Sequence, residues 1–124
     1  MQIQTNVEKE ISDNVNDVLG LLAEGKFIDA MEKHLHEDVI LSEANGTPKK
    51  GKAHCISKEQ ELLATVTEFI RYELISGPAV KDDTSFYEAI MEFVTNDGKK
   101  HTFEQTVRTI WKDGKIINEK YYHA

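Results

Sequence analysis

The sequence predicts an α+β fold: a strongly curved antiparallel sheet with three N-terminal helices packed in its concave face. Two observations carry that expectation. Apolar residues recur at helical spacing through the first half and switch to a period of two from Phe69 onward. Two long alternating segments in the last third then end in nearly the same turn, Thr95-Asn96-Asp97-Gly98-Lys99 and Trp111-Lys112-Asp113-Gly114-Lys115. Asp-Gly between alternating runs marks a hairpin, so two in succession make a three-strand meander. Helices first and strands second fit a layered α+β arrangement. A curved sheet half-filled by helices is cone-shaped, and its open end is a natural pocket.

Ile3, Val7, Ile11, Val15, Val18, Leu19 and Leu22 place a first amphipathic helix near residues 3–24, stopped by Gly25. Phe27, Ala30, Met31, His34 and Leu35 mark a second, shorter helix ending near Glu37. A short strand follows, in which Val39, Leu41 and Glu43 point one way and Ile40 and Ser42 the other. Asn45-Gly46-Thr47-Pro48 reads as a turn and Lys49-Lys50-Gly51-Lys52 as a basic loop. A third helix covers about 53–66, with Cys55, Ile56, Leu62, Leu63 and Val66 as its stripe. From Phe69, Ile70, Tyr72 and Leu74 alternate with Arg71, Glu73 and Ile75 until Gly77-Pro78 interrupts the ladder as a bulge or edge bend. The meander strands fall near 85–95, 99–111 and 115–123.

Turn length can be tested against side-chain pattern. With three residues in each loop, Thr95 pairs with Lys99 and Trp111 with Lys115. Met91 then pairs with Phe103, and Thr109 with Ile117. Tyr87, Ala89, Met91, Phe93, Phe103, Val107, Trp111, Ile117 and Tyr121 share one face. Gln105, Thr109 and Glu119 join them as polar groups, with His101 and His123 nearby.

Composition limits the partners. The chain has 124 residues, read here as one domain over 1–124, with a net charge of −7. That acidity disfavours nucleic acid and anionic membranes, which need a basic footprint. A lone Cys55 cannot form an internal bridge and fits a cytoplasmic location. The start MQIQTNVEKE lacks a signal-peptide pattern, and no apolar run approaches a membrane span. Five histidines show no zinc-ligand spacing, so neither metal nor organic cofactor is expected.

The order of elements, with Gly51-Lys52-Ala53 after a strand and turn and Trp111-Lys112-Asp113-Gly114-Lys115-Ile116 near the end, resembles the SnoaL-like branch of the nuclear transport factor 2-like superfamily. That resemblance implies the cone, and a homodimer through the convex sheet face, where Phe86, Ile90, Val94, Ile110, Ile116 and Tyr122 lie among charged residues. It spans isomerases, cyclases, dehydratases and non-catalytic modules, so the fold alone names no activity. In the ketosteroid isomerase pattern a general-base carboxylate ends the short strand, five residues after an Asp. Glu43 follows Asp38 at that spacing. The two positions that would hold oxyanion donors are Val18 and about Val107, so steroid isomerisation is not expected.

The functional expectation is a pocket for a small apolar or carbonyl-bearing molecule. Glu43 is the candidate base for cofactor-free proton transfer, and Tyr87, Gln105, Glu119, Tyr121 and His34 are the candidate ligand contacts. Each residue has a plainer reading. Glu43 can be a solvated strand end and Glu119 a wet rim residue. The tyrosines can be core side chains with wet hydroxyls, and His34 a satisfied core histidine. The alternative function is a non-catalytic ligand-binding or dimerisation module with a filled cone.

Overall fold

The computed structural model describes residues 4–123. Its helices are α1 (Asn6–Ala23), α2 (Phe27–His34) and α3 (Lys52–Leu63). Its strands are β1 (Leu35–Glu43), β2 (Lys49–Lys50), β3 (Val66–Lys81), β4 (Thr84–Thr95), β5 (Lys100–Lys112) and β6 (Lys115–His123). They form one six-stranded sheet in the order β2-β1-β6-β5-β4-β3. The helices cover its concave face, and Ile11, Val15, Val39, Ala89, Val107 and Trp111 are among the core residues between the layers.

The helix ends follow local chemistry. Thr5 Oγ1 accepts from the Glu8 backbone N–H at 3.1 Å, and the Glu8 carboxylate accepts from the Thr5 N–H at 2.9 Å. This capping box starts α1. The expected start at Ile3 lies outside the described residues. Gly25, at φ +76°, ends α1: the N–H groups of Lys26 and Gly25 reach back to the carbonyls of Leu21 (2.9 Å) and Leu22 (3.0 Å). α2 stops at His34 rather than near Glu37, because Leu35 is already extended. Two late carbonyls of α2 receive lysines: Lys52 Nζ donates to Glu32 O at 2.7 Å and Lys115 Nζ to Lys33 O at 2.6 Å. Cations there satisfy orphan acceptors and oppose the helix dipole.

Three strand expectations change. Lys49 and Lys50, expected in a loop, form β2 against Leu41 and Ile40. α3 ends at Leu63, so the β-branched Val66 opens β3 instead of closing the helix. The sheet is mixed, since β1 runs parallel to β6. Hairpin chemistry dictates direction only for consecutive strands, and these two are separated by most of the chain. β3 is an edge strand and passes through Gly77-Pro78 with register shifts on both sides of Ser76. An edge tolerates proline's missing donor.

The first hairpin is as expected. Thr95 N–H donates to Lys99 O at 3.0 Å, Gly98 has φ +81°, and Met91 pairs with Phe103. The second differs. Lys112 pairs with Lys115 across a two-residue turn, with Asp113 at φ +53° and Gly114 at φ +75°. Positive φ at both central residues is the requirement of the primed turn whose twist suits a hairpin. A register shift after Ile110 then restores the face parity, so Thr109 pairs with Glu119 rather than Ile117. Ile116 takes the core position, 3% exposed, and Ile117 moves out of it.

On the convex face Glu92 is gripped by Lys100 (3.1 Å), Arg71 and Thr102 (2.9 Å). Lys100, then Arg71, then Thr102 hold its carboxyl down at about 2, against the usual 4.5. A depressed carboxyl stabilises the fold above its unfolded pKa and loses that contribution as pH falls through its folded one. Urea unfolding of the parent and Glu92→Gln should therefore differ most above about pH 4.5 and converge towards about pH 2. A constant gap would assign the stabilisation to contacts that do not depend on charge.

Candidate functional site

A cavity of about 200 Å³ opens between the helices and the concave sheet. Its α1 and α2 wall is apolar, from Val18 and Leu22 on α1 and Phe27 and Met31 on α2, and α3 adds Glu59. Its sheet wall is polar at depth, with Tyr72, Tyr87, Gln105, Glu119 and Tyr121. Strand pairing explains the grouping. One cross-strand row reads Leu41, Glu119, Thr109, Ser85, and the next reads Glu43, Tyr121, Val107, Tyr87.

Glu119 is 9% exposed. Its Oε2 accepts from Thr109 Oγ1 at 2.6 Å and its Oε1 from Tyr121 Oη at 2.5 Å. No cation within 4.0 Å pairs with it among the described residues. Burial pushes its carboxyl up, and the Thr109 and Tyr121 hydroxyls only partly offset that. Burial, and then the neighbouring Glu119, raise Tyr121 well above 10, so its hydroxyl stays a neutral donor.

The Tyr72 and Tyr87 hydroxyls lie 3.2 Å apart, and both side chains are buried. Burial drives Tyr72 to about 12 and Tyr87 well above 10. Gln105 acts on the Tyr72 oxygen as a hydrogen-bond partner that favours its charged form. Two phenols carry two protons, and the bond between them uses one. The other proton lies outside that bond, on the side shared by Gln105 and the cavity.

Glu43 also lines the cavity, but at its mouth. Its side chain is half exposed, and Oε2 lies 2.7 Å from His123 Nε2. His34 does not line the cavity. It is buried behind it, with Nε2 2.6 Å from Asp17 Oδ2 and its ring edge-on to Trp111 at 6.2 Å. Burial lowers its pKa and Asp17 opposes that. The site therefore brings together Tyr87, Gln105, Glu119 and Tyr121, sets Glu43 at the rim, and leaves His34 outside. Among the described residues, no group of three or more His, Cys, Asp or Glu is placed to hold a metal ion.

Sequence reasoning passed over two lining residues. Tyr72 sits in the alternating run of β3, whose register shifts conceal its partner. Glu59 lies four residues after Cys55 and three before Leu62, on the same stripe of α3. Its helical spacing was the available signal.

Solved structures with this arrangement of helices and sheet are numerous. A SnoaL-like protein of Mesorhizobium loti, assigned as a polyketide cyclase, superposes with a TM-score of 0.79 at 24% identity, covering 90% of this chain and 97% of that one. The chain has the SnoaL-like, nuclear transport factor 2-like fold. A second SnoaL-like structure, from Jannaschia and likewise assigned as a polyketide cyclase, matches with a TM-score of 0.79 at 15% identity over 99% of this chain and 91% of that one. The LEH-like epoxide hydrolase of M. tuberculosis matches with a TM-score of 0.78 at 14% identity, over 94% and 84%. No protein-family profile matches the sequence, and no curated protein does. Within this fold, Val18 and Val107 offer the cavity no donor, and the phenols of β3 and β4 supply hydroxyls instead. Among the described residues, no helix is long and apolar enough to cross a membrane.

Proposed function

We propose that the cone binds a small apolar molecule bearing a carbonyl and moves a proton on it without a cofactor, with Glu119 as the base. The observation that carries this reading is a buried carboxylate with no cationic partner, in one cavity with an unspent phenolic proton. The phenol pair would donate to the carbonyl oxygen, and Glu119 would accept a proton from the adjacent carbon. Negative charge then moves onto the oxygen, where the donor already sits. Returning the proton to the same carbon completes an exchange, and in a β,γ-unsaturated ketone returning it to the γ-carbon moves the double bond and completes an isomerisation. A cavity of about 200 Å³ is below the roughly 300–1,000 Å³ of sites for drug-sized ligands, which favours a compact substrate. The structural neighbours assigned as polyketide cyclases and as an epoxide hydrolase lend this chemistry support by analogy.

Glu43 is the competing base, because it holds the position implied by the resemblance. Its contact with His123 and its exposure favour a role at the entrance instead. Exchange of the α-protons of cyclohexanone into heavy water tests the proposal. The chain should accelerate exchange, Glu43→Gln should keep most of the acceleration, and a loss confined to Glu43→Gln would move the chemistry to the rim. No acceleration across a set of small ketones would favour the second reading, a non-catalytic binding module. Both Glu119 oxygens already accept hydrogen bonds within the chain, and that favours such a module.

Two further expectations belong here. Phe86 and Tyr122 are about two-fifths exposed on the convex face, and Arg108 Nε there is buried without a hydrogen-bond partner. Both support a two-fold dimer through that face, burying on the order of 1,200–2,000 Å² in total. Light scattering at high micromolar concentration should give twice the chain mass, and a monomer would count against it. The buried free Cys55 supports a reducing, cytoplasmic setting.

A further inference from the structure

We propose that the molecule taken by the cone carries a cationic amine, which pairs with Glu59 on α3. The inference rests on the cone being a small-molecule pocket. Three carboxylates line that cavity: Glu43, Glu59 and Glu119. Glu43 is held by His123, and Glu119 by Thr109 and Tyr121. Glu59 has no hydrogen bond and no ion pair within 4.0 Å among the described residues, and Lys49, which also lines the cavity, acts on it at longer range.

Its position suits a ligand. Glu59 borders the main cavity and also a smaller adjoining hollow of about 80 Å³, together with Phe27, Leu62 and Met91. Those neighbours are apolar, the residue is only partly exposed, and burial pushes its carboxyl up. A cation arriving there gains a charge-assisted hydrogen bond and relieves that desolvation. Phe27, edge-on to Tyr72 at 6.1 Å, adds an aromatic surface of the kind that tolerates an ammonium group.

The opposite wall supplies an independent requirement. Tyr72 and Tyr87 are 7% and 4% exposed, and one of their two hydroxyl protons has no use in their mutual bond. They offer a donor, whereas Glu59 offers an acceptor. A compact apolar molecule with an oxygen at one end and an ammonium at the other satisfies both. An anion would meet three lining carboxylates, Glu43, Glu59 and Glu119, against the single lining cation among the described residues, Lys49, and is disfavoured.

Titration calorimetry with cyclohexylamine, cyclohexanone and cyclohexanecarboxylate decides the point. The amine should bind about tenfold tighter than the ketone, as expected for one charge-assisted bond, and the carboxylate should bind weakest. Glu59→Gln should remove the preference for amine, with its melting curve confirming an intact fold. The exposed Glu61→Gln, whose residue pairs only with Lys58, should leave the preference in place. An amine that binds no tighter than the ketone, or a preference that survives in Glu59→Gln, overturns the assignment while leaving the pocket standing. If no compound binds, the pocket reading falls together with this one.

Discussion

Replacing Glu119 with glutamine is expected to slow proton transfer by about 10²–10⁴-fold, the usual contribution of a positioned general acid or base. The amide is nearly isosteric and can still bond to Thr109 and Tyr121, whose hydroxyls can turn to accept from it. It cannot take a proton at neutral pH. Stability should move the opposite way. Burial raises the Glu119 carboxyl in the fold. The folded state therefore holds the proton more tightly than the unfolded chain. Its advantage is complete at low pH and is lost as pH rises through the raised value. Above that raised value the charged, buried Glu119 weakens the fold, and glutamine removes that burden. The variant should unfold at the same temperature as the parent or higher at neutral pH, and the gap should close in acid. Slow turnover with an undamaged fold is the signature of a working residue. A variant that melts early would make Glu119 a structural anchor.

Trp111→Ala should cost about 3–5 kcal/mol, the range for deleting a large buried aromatic side chain. Trp111 is 5% exposed and belongs to the core between the layers. Its indole N–H donates to Ser85 Oγ at 2.9 Å, and His34 packs edge-on against it. Alanine leaves a cavity and takes the indole donor from a fully buried serine. Trp111→Phe keeps most of the volume, and its cost should approach the roughly 1–3 kcal/mol of an unmet buried polar group. Urea unfolding midpoints at constant slope give both numbers. A small loss for alanine would mean that the helices collapse onto the sheet and fill the space.

Alternation made the sheet wall of the site readable. Tyr87, Gln105, Glu119 and Tyr121 sit on one face because side chains repeat every two residues, and the shorter turn and the one-residue bulge beside Trp111 together moved the register by two, which left that parity unchanged. The same shift changed neighbours. It took Glu119 from Val107 to Thr109, whose hydroxyl now holds it, and no pattern of apolar residues specifies a bulge at Ile117. Depth was also hidden. Glu43 and Glu119 both alternate inward, yet β1 ends at the mouth while Glu119 lies one row further in. Tyr72 was obscured by the irregular edge strand, and Glu59 by a polar helix whose face is decided only by what it packs against. The parallel union of β1 with β6 joins distant segments, and periodicity within a segment carries no information about that pairing.

The central claim is that the cone is a small-molecule site whose acceptor end meets Tyr72 and Tyr87 and whose reacting carbon meets Glu119. A crystal structure of the chain soaked with cyclohexanone tests it most directly. The account expects the ketone oxygen about 2.6–3.2 Å from a hydroxyl of the tyrosine pair, with an α-carbon turned to Glu119. A ketone bound only outside the cone, or a cone closed by its own side chains at saturating ketone, would contradict it.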